Sequence, residues 1–490
     1  MVRIRSDGSI TGSVNNPTAN IASGMWSLKD AERSVRGSTW PASYDSLTDP
    51  YFANTSLLVH ADGTNISNNS VFIDSSPNIY TVTRNGNPGQ GTFTPFPLAG
   101  NVYTTAVNGG SSFFNGSTDY FSLPNLTVGT NNFTIEGWFY AITVSSAEIA
   151  ILKLIGASNQ IEVRIASSKI SGRVISSGTP SVVGNNTTIS PLTWYHFALV
   201  RNNNVDTLYL NGVAETTTVN DTTNYGASTT FTVAANQSGA SKFNGWLSNI
   251  RVNIGTAVYT GNFTVPTSQL SSVSNTQVLL NFTNANILDY TAKNNLATIG
   301  NVYISTTQSK FGGSSVYFSN TGGGALVGYY NSSIHSFNLT DFTVEAWVYP
   351  LTYTGMTHGV SNIPTLIGGM QFNSTTADWS FGMSTSGILK FYYYNGSAIS
   401  INTSTTVPLN TWSHIAAVKT SAGITMFYNG TLVSGPTAIS GTPSIQAGTT
   451  LTMGAHNSTY MNAYLDDVRI TKYARYTADF AVPTLPFQDR

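Results

Sequence analysis

Five stretches of this sequence occur twice, in the same order. Residues 133–140 read FTIEGWFY and residues 342–349 read FTVEAWVY; WYHFALVR at 194–201 returns at 412–419 as WSHIAAVK. LYLNG at 208–212 returns as MFYNG at 426–430, WLSNIRV at 246–252 as YLDDVRI at 464–470, and AVYTGNFTVPT at 257–267 as ARYTADFAVPT at 474–484. The separations stay between 209 and 218 residues. A solenoid repeat runs to roughly 20–50 residues, so this period means two tandem globular copies, each large enough to bury a core.

Within each copy the local signal is β. In WYHFALVR both alternating faces are largely apolar, as a strand buried inside a sandwich requires. LYLNG runs into Asn211-Gly212, the preferred pair for a two-residue type I′ hairpin, and Asn429-Gly430 repeats it. Gly109-Gly110-Ser111-Ser112 before Phe113-Phe114 matches Gly312-Gly313-Ser314-Ser315 before Val316-Tyr317. Leu57-Leu58 with Asp74 matches Leu279-Leu280 with Asp289. The copies therefore span about 51–271 and 272–490, joined at the short Ser/Thr-rich stretch 267–277. Short strands with turn signals every 8–12 residues predict antiparallel sandwiches. Residues 1–50 differ: Ser27 opens SLKD, a capping-box-like start to one small helix ended by Gly37 and Pro41. Trp26, Leu28 and Trp40 mark this segment as a docking arm, since fifty residues make no sound core alone.

Only 9% of the 490 residues are charged and the formal net charge is −1, so no field would draw the chain to nucleic acid. No apolar run reaches the length of a spanning helix. Cysteine is absent, which removes disulfides and thiolate metal sites. The opening MVRIRSDGSITG lacks the apolar stretch of a secretory signal, so synthesis in a cytoplasm is expected.

The order GGSS-aromatic, FT(I/V)E-x-W, W-x-H-x-A, strand-NG and (D/N)-(I/V)-R-(I/V) resembles the laminin-G-like, concanavalin A-like jelly-roll family. The resemblance covers both copies and implies an all-β fold of two tandem antiparallel β-sandwich domains. Its members include glycan-binding, adhesion and purely architectural modules. The leading segment, ASGxWSL followed by GSTWP, resembles amino-terminal segments of tailed-phage structural proteins, especially marine ones. That implies a virion location, made in the host cytoplasm.

Residues that might carry chemistry fall into four groups. Glu136 and Glu345 coincide between copies, but each stands alone, with Trp138 and Tyr140 two and four residues past Glu136. Glycoside hydrolysis needs two carboxyls about 5–10 Å apart, so these glutamates read as hydrogen-bonded sheet residues. His196 and His414 also coincide, and they read as partly buried packing histidines. Calcium, bound at a loop rim in many laminin-G-like domains, would use Asp62, Asp74 and Asp119 in copy one and Asp289 in copy two. Asx-turn capping is the simpler use of Asp74 and Asp289. Glycan binding would use aromatic faces that differ between copies, namely Trp379, Tyr392 and Tyr394.

These observations point to a non-enzymatic structural or adhesion protein of a tailed-phage virion, as a fibre, tail or head-decoration component. Other virion proteins, a host-surface glycan or receptor, and further copies of the chain are the expected partners. No cofactor is expected beyond that calcium. A cellular surface adhesin or filament subunit is the alternative, and a polysaccharide-active enzyme a third class.

Overall fold

The computed structural model describes residues 49–488 apart from 99–102, 145–147, 157, 237–240, 337–339, 360–362, 371–376 and 440–448. The docking-arm residues Trp26, Leu28 and Trp40, and the helix expected from Ser27, lie outside the described residues. By contacts the chain divides into Met1–Ala53 with Gln488–Arg490, and Asn54–Phe487. Of the first unit the described part is a turn in which Asp49 accepts from the backbone of Tyr51 and Phe52.

The second unit is all-β. It holds four large antiparallel sheets, paired into two sandwiches. Thr105–Asn108 and Ser332–His335 are its two short α-helices among the described residues. In the first sandwich one sheet is centred on Trp194–Asn202, Phe133–Ala141 and Asn244–Ile254, and the other on Gln160–Ala166, Ile149–Ile155 and Thr230–Val233. Phe133, Ile135 and Phe139 point into the core between them, with Phe197 and Leu199 alongside. The second sandwich repeats the plan with Ser413–Thr420, Phe342–Pro350 and Ala463–Thr471 facing Ile367–Met370, Ala377–Met383 and Ile388–Tyr394.

The boundary between copies in sequence is not the boundary between sandwiches in space. Strand Thr55–His60, which opens copy one, lies in the second sandwich against Ala463–Thr471, with Leu58 opposite Arg469. Strand Thr276–Leu280, which opens copy two, lies in the first sandwich against Asn244–Ile254, with Leu279 opposite Arg251. Leu57, Val59 and Ala61 accordingly join the second core, and Val278, Leu280 and Phe282 the first. The copies have exchanged their first strands. This pairing also aligns Leu58 with Leu279, one residue away from the match drawn between the two Leu-Leu pairs.

Main-chain and side-chain bonds latch each exchanged strand. Leu58 N donates to Asp289 at 2.9 Å and Leu279 N donates to Asp74 at 2.8 Å. Where the chains cross, Asn69 donates to the carbonyls of Ile287 and Leu296 and accepts from the amides of Asn286 and Ile287. A β-bulge in each last strand puts Asn249 and Asp467 at positive φ, and each side chain reaches the incoming strand. Asn249 Oδ1 accepts from Asn281 at 2.7 Å, and Asp467 Oδ1 meets His60 Nδ1 at 2.5 Å.

The exchange predicts how fragments behave. Residues 51–271 expressed alone keep a strand that belongs elsewhere and lack Val278, Leu279 and Leu280. Three buried aliphatic side chains are worth about 5–8 kcal/mol, against a whole-domain stability of about 5–15 kcal/mol. Circular dichroism and urea unfolding should find fragment 51–271 unfolded or aggregated, while fragment 70–285, which retains the incoming strand, unfolds cooperatively. A cooperative, monomeric 51–271 would mean that the first copy folds on its own strand.

Candidate functional site

Glu136 and Glu345 sit on the outward faces of the central strands, yet they are buried. Cross-strand register places Glu136 opposite Arg251 and Glu345 opposite Arg469. Glu136 Oε1 accepts from Arg251 Nε at 2.9 Å and Nη2 at 2.6 Å, and its Oε2 accepts from Tyr259 at 2.7 Å, with His196 Nε2 at 3.4 Å. Glu345 repeats the arrangement with Arg469, Tyr476 and His414 Nε2, the last at 3.1 Å. Burial alone would raise both carboxyls. The close approach of His196 and the Arg251 charge overcome it for Glu136, and Arg469 with His414 does so for Glu345, so both lie below the usual range. A carboxylate held so far towards its charged form is a poor proton donor. Removing it would strand a buried guanidinium, at a cost of about 3–5 kcal/mol.

The repeated AVYTGNFTVPT segment explains the burial. It crosses the outer face of the sheet, where Tyr259 stacks on Phe263 with ring centroids 3.6 Å apart, and Tyr476 on Phe480 likewise. Phe263 and Phe480 meet His196 and His414 edge-on. The Asn-Gly hairpins seat this strap. Asn211 and Asn429 have positive φ as a type I′ turn needs, and Phe263 N donates to Gly212 O. A Cβ on Gly212 would come within 2.1 Å of Phe263 O, so the turn glycine is also a docking surface.

The structure does not gather the aspartates proposed for calcium. Asp74 accepts from Ser76 N, Ser76 Oγ, Tyr80 N and Leu279 N, and Asp289 from Leu58, Thr291, Lys293 and Asn294. Asp119 accepts from Asn87 N, Asn115 N and Thr118 Oγ1. Asp62 lies in the second sandwich beside Gly312 and near Asp466. Carboxylates ringed by N–H and O–H donors present the wrong polarity to a cation, so the surroundings of Asp74, Asp119 and Asp289 do not fit calcium. Among the described residues no group of three or more His, Cys, Asp or Glu is placed to hold a metal.

Two of the three proposed glycan aromatics are not surface groups. Trp379 is fully enclosed, stacked on Phe391 and donating from Nε1 to His335 O at 2.9 Å. Tyr392 is buried with Ile363, Met370 and Ala377, while Tyr394 is half-buried at the edge of that cluster. Trp379 faces the second core, whereas Tyr392 and Tyr394 belong to a separate small cluster on the other face of their sheet.

A group that the sequence reading passed over stands on the outward face of the first sandwich's other sheet. Lys153, Glu162 and Arg173 are direct cross-strand neighbours. Glu162 has no exposure and lies 3.5 Å from Lys153 and 3.6 Å from Arg173. Half-exposed Glu148 takes Arg164 at 2.6 Å and Arg173 at 3.1 Å. Burial raises the Glu162 carboxyl, Lys153 draws it back, and Glu148 raises it again. The corresponding outward row of the second sandwich, Gly368, Ser380 and Tyr392, is uncharged. Residues 153–173 hold five charges in a chain that is 9% charged, and that density was the available signal.

A model of the concanavalin A-like lectin/glucanases superfamily matches residues 115–254 and 322–479. No curated protein matches the chain. Among solved structures, the binding domain of Paraclostridial mosquitocidal protein 1 is 16% identical over 39% of this chain, with TM-score 0.29; the chain spans about half of it, 47%. Domains LG4-5 of the mouse laminin alpha1 chain are 10% identical, covering 80% of this chain and 99% of that one, with TM-score 0.29. The botulinum neurotoxin serotype G binding domain is 10% identical, covering 86% and 92%, with TM-score 0.29. No helix among the described residues is long and apolar enough to cross a membrane.

Asp466, beside the latch of the exchanged strand, generates a pH prediction. Its carboxyl is pushed up to about 7, by burial first and then by Asp467, against the Phe311 and Lys310 amides that it accepts from. An acid raised on folding contributes fully below its unfolded value and loses that contribution as pH climbs toward the folded one. Asp466→Asn removes the charge and keeps one of the two acceptor oxygens, at the same cost at every pH. Urea unfolding should find that the variant gains about 4 kcal/mol on the parent between pH 4 and pH 8. A difference that is the same at both pH values would show that Asp466 is ordinary.

Proposed function

The chain belongs to the concanavalin A-like lectin/glucanases superfamily, and from that footing we propose a non-enzymatic structural and attachment protein of a tailed-phage virion. It presents two sandwiches on the particle, anchored by its first fifty residues, for assembly and for contact with a host-surface glycan or receptor. The observation that carries this reading is the fate of the groups that both copies share. Glu136, His196, Arg251 and Tyr259, with their counterparts, are consumed in buried networks beneath the straps. What recurs is scaffold, and part of what differs between copies lies on outward faces, as at the Lys153–Glu162–Arg173 row.

The virion assignment draws on the resemblance of ASGxWSL and GSTWP to phage structural proteins. Attachment through many copies needs only weak single contacts, since avidity multiplies them.

Particles carrying tagged full-length chain or residues 51–490 would be purified and analysed by mass spectrometry. Full-length chain should be present and the truncated chain depleted at least ten-fold, while the purified protein releases no reducing ends from host polysaccharide. Equal incorporation would remove the anchoring role. Sugar release lost on Glu136→Gln with Glu345→Gln would replace attachment by catalysis.

A further inference from the structure

A cleft of about 260 Å³ opens at one edge of the first sandwich, lined among others by Asn186, Thr187, Tyr195, Leu210, Val213 and Glu215. Its origin is a break in a strand. Val213–Ala214 pairs with Leu210 and Tyr209, then the chain leaves the sheet and rejoins only at Val219–Asn220. In the second sandwich Thr431–Thr437 stays beside Gly423–Tyr428 along this stretch.

The residues that furnish the cleft are absent from the other copy. Aligning the two Asn-Gly turns sets Glu215 against Val433, and aligning His196 with His414 sets Tyr195 against Ser413. The fold therefore needs neither. Glu215 is 6% exposed although Asn186, Thr187 and Thr216 around it are exposed. Its Oε2 accepts from the amides of Asn186 at 2.6 Å and Thr187 at 3.0 Å. Among the described residues no donor reaches its other oxygen, which is left free for a group in the cleft. Tyr195 is fixed by stacking on Phe139 and by accepting from Ser190 N, so one wall is a held aromatic ring.

We propose that this cleft binds one pyranose unit of an uncharged glycan. Glu215 accepts from ring hydroxyls, and Tyr195, Leu210 and Val213 meet the C–H face. The chemistry discriminates: an anionic ligand would be repelled by Glu215, and a hard cation would find a single carboxylate already half used by N–H donors. The volume lies below the roughly 300–1,000 Å³ of drug-sized sites, which suits a single ring. The assignment rests on the attachment reading and adds to it the place and the ligand class.

Saturation-transfer NMR on the full chain would use the methyl glycosides of glucose, galactose, mannose and N-acetylglucosamine at millimolar concentration. At least one should receive saturation. Glu215→Gln should weaken that binding about ten-fold or more, and Tyr195→Ser should abolish it, with thermal unfolding confirming that both variants fold. No transfer to any of the four, or transfer unchanged in both folded variants, overturns the cleft assignment. A glycan array separates the two levels. Array binding that survives both substitutions overturns the cleft and leaves attachment standing, whereas an array with no binding overturns glycan attachment itself.

Discussion

A strand at the edge of a sheet must find a partner, and in this chain each copy's last strand finds it in the other copy. Asn244–Ile254 and Ala463–Thr471 both sit inside their sheets, so each presents a row of amides and carbonyls that has to be filled. Filling it with the neighbour's first strand buries Leu57 and Val59 in one core and Val278 and Leu280 in the other. Two sandwiches become one compact unit without a disulfide, in a chain that has no cysteine to make one.

The rest of the structure is arranged around those two joints. The bulges at Asn249 and Asp467 turn a side chain onto the incoming strand, and the same side chains hold the strap ends through Leu270 N and Phe487 N. Straps in turn bury Glu136 and Glu345 with their arginines. The joints differ in charge: the first is built from Asn281, Asn249 and Ser248, the second from His60, Asp467 and Asp466. At the bulge one sandwich is held by neutral amides and the other by a histidine and aspartates, while each keeps its carboxylate latch, Asp74 or Asp289. The copies also diverge on outward surfaces, at the ion row and at the cleft beside Tyr195, and in the core at Trp379.

Much of the fold was legible because its causes are local or repeated. Asn211-Gly212 demands its turn, WYHFALVR its buried strand, and five recurring blocks their tandem sandwiches. The exchange was not legible: SLLVH and QVLLN are equally good first strands for either sheet, so local sequence cannot say which one each enters. Periodicity also cannot tell an outward aromatic from a core one when both faces of a strand are covered, which is why Trp379 and Tyr392 read as surface groups. The Lys153–Glu162–Arg173 row escaped because its members are far apart in sequence and meet only through register. Glu215 escaped for a similar reason, since its burial follows from a strand break that Thr-rich sequence does not announce.

A cysteine-pair experiment tests the exchange most directly, with no native thiol to confuse it. Leu57 lies opposite Ile470 here, whereas an unexchanged first copy would set it opposite Val252, the residue that faces Val278. Cross-strand neighbours are about 4.5–5.5 Å apart, within disulfide reach. Mild oxidation of monomeric protein should link Leu57→Cys to Ile470→Cys and leave Leu57→Cys with Val252→Cys reduced. Efficient linking of the 57–252 pair with none of the 57–470 pair would contradict the account.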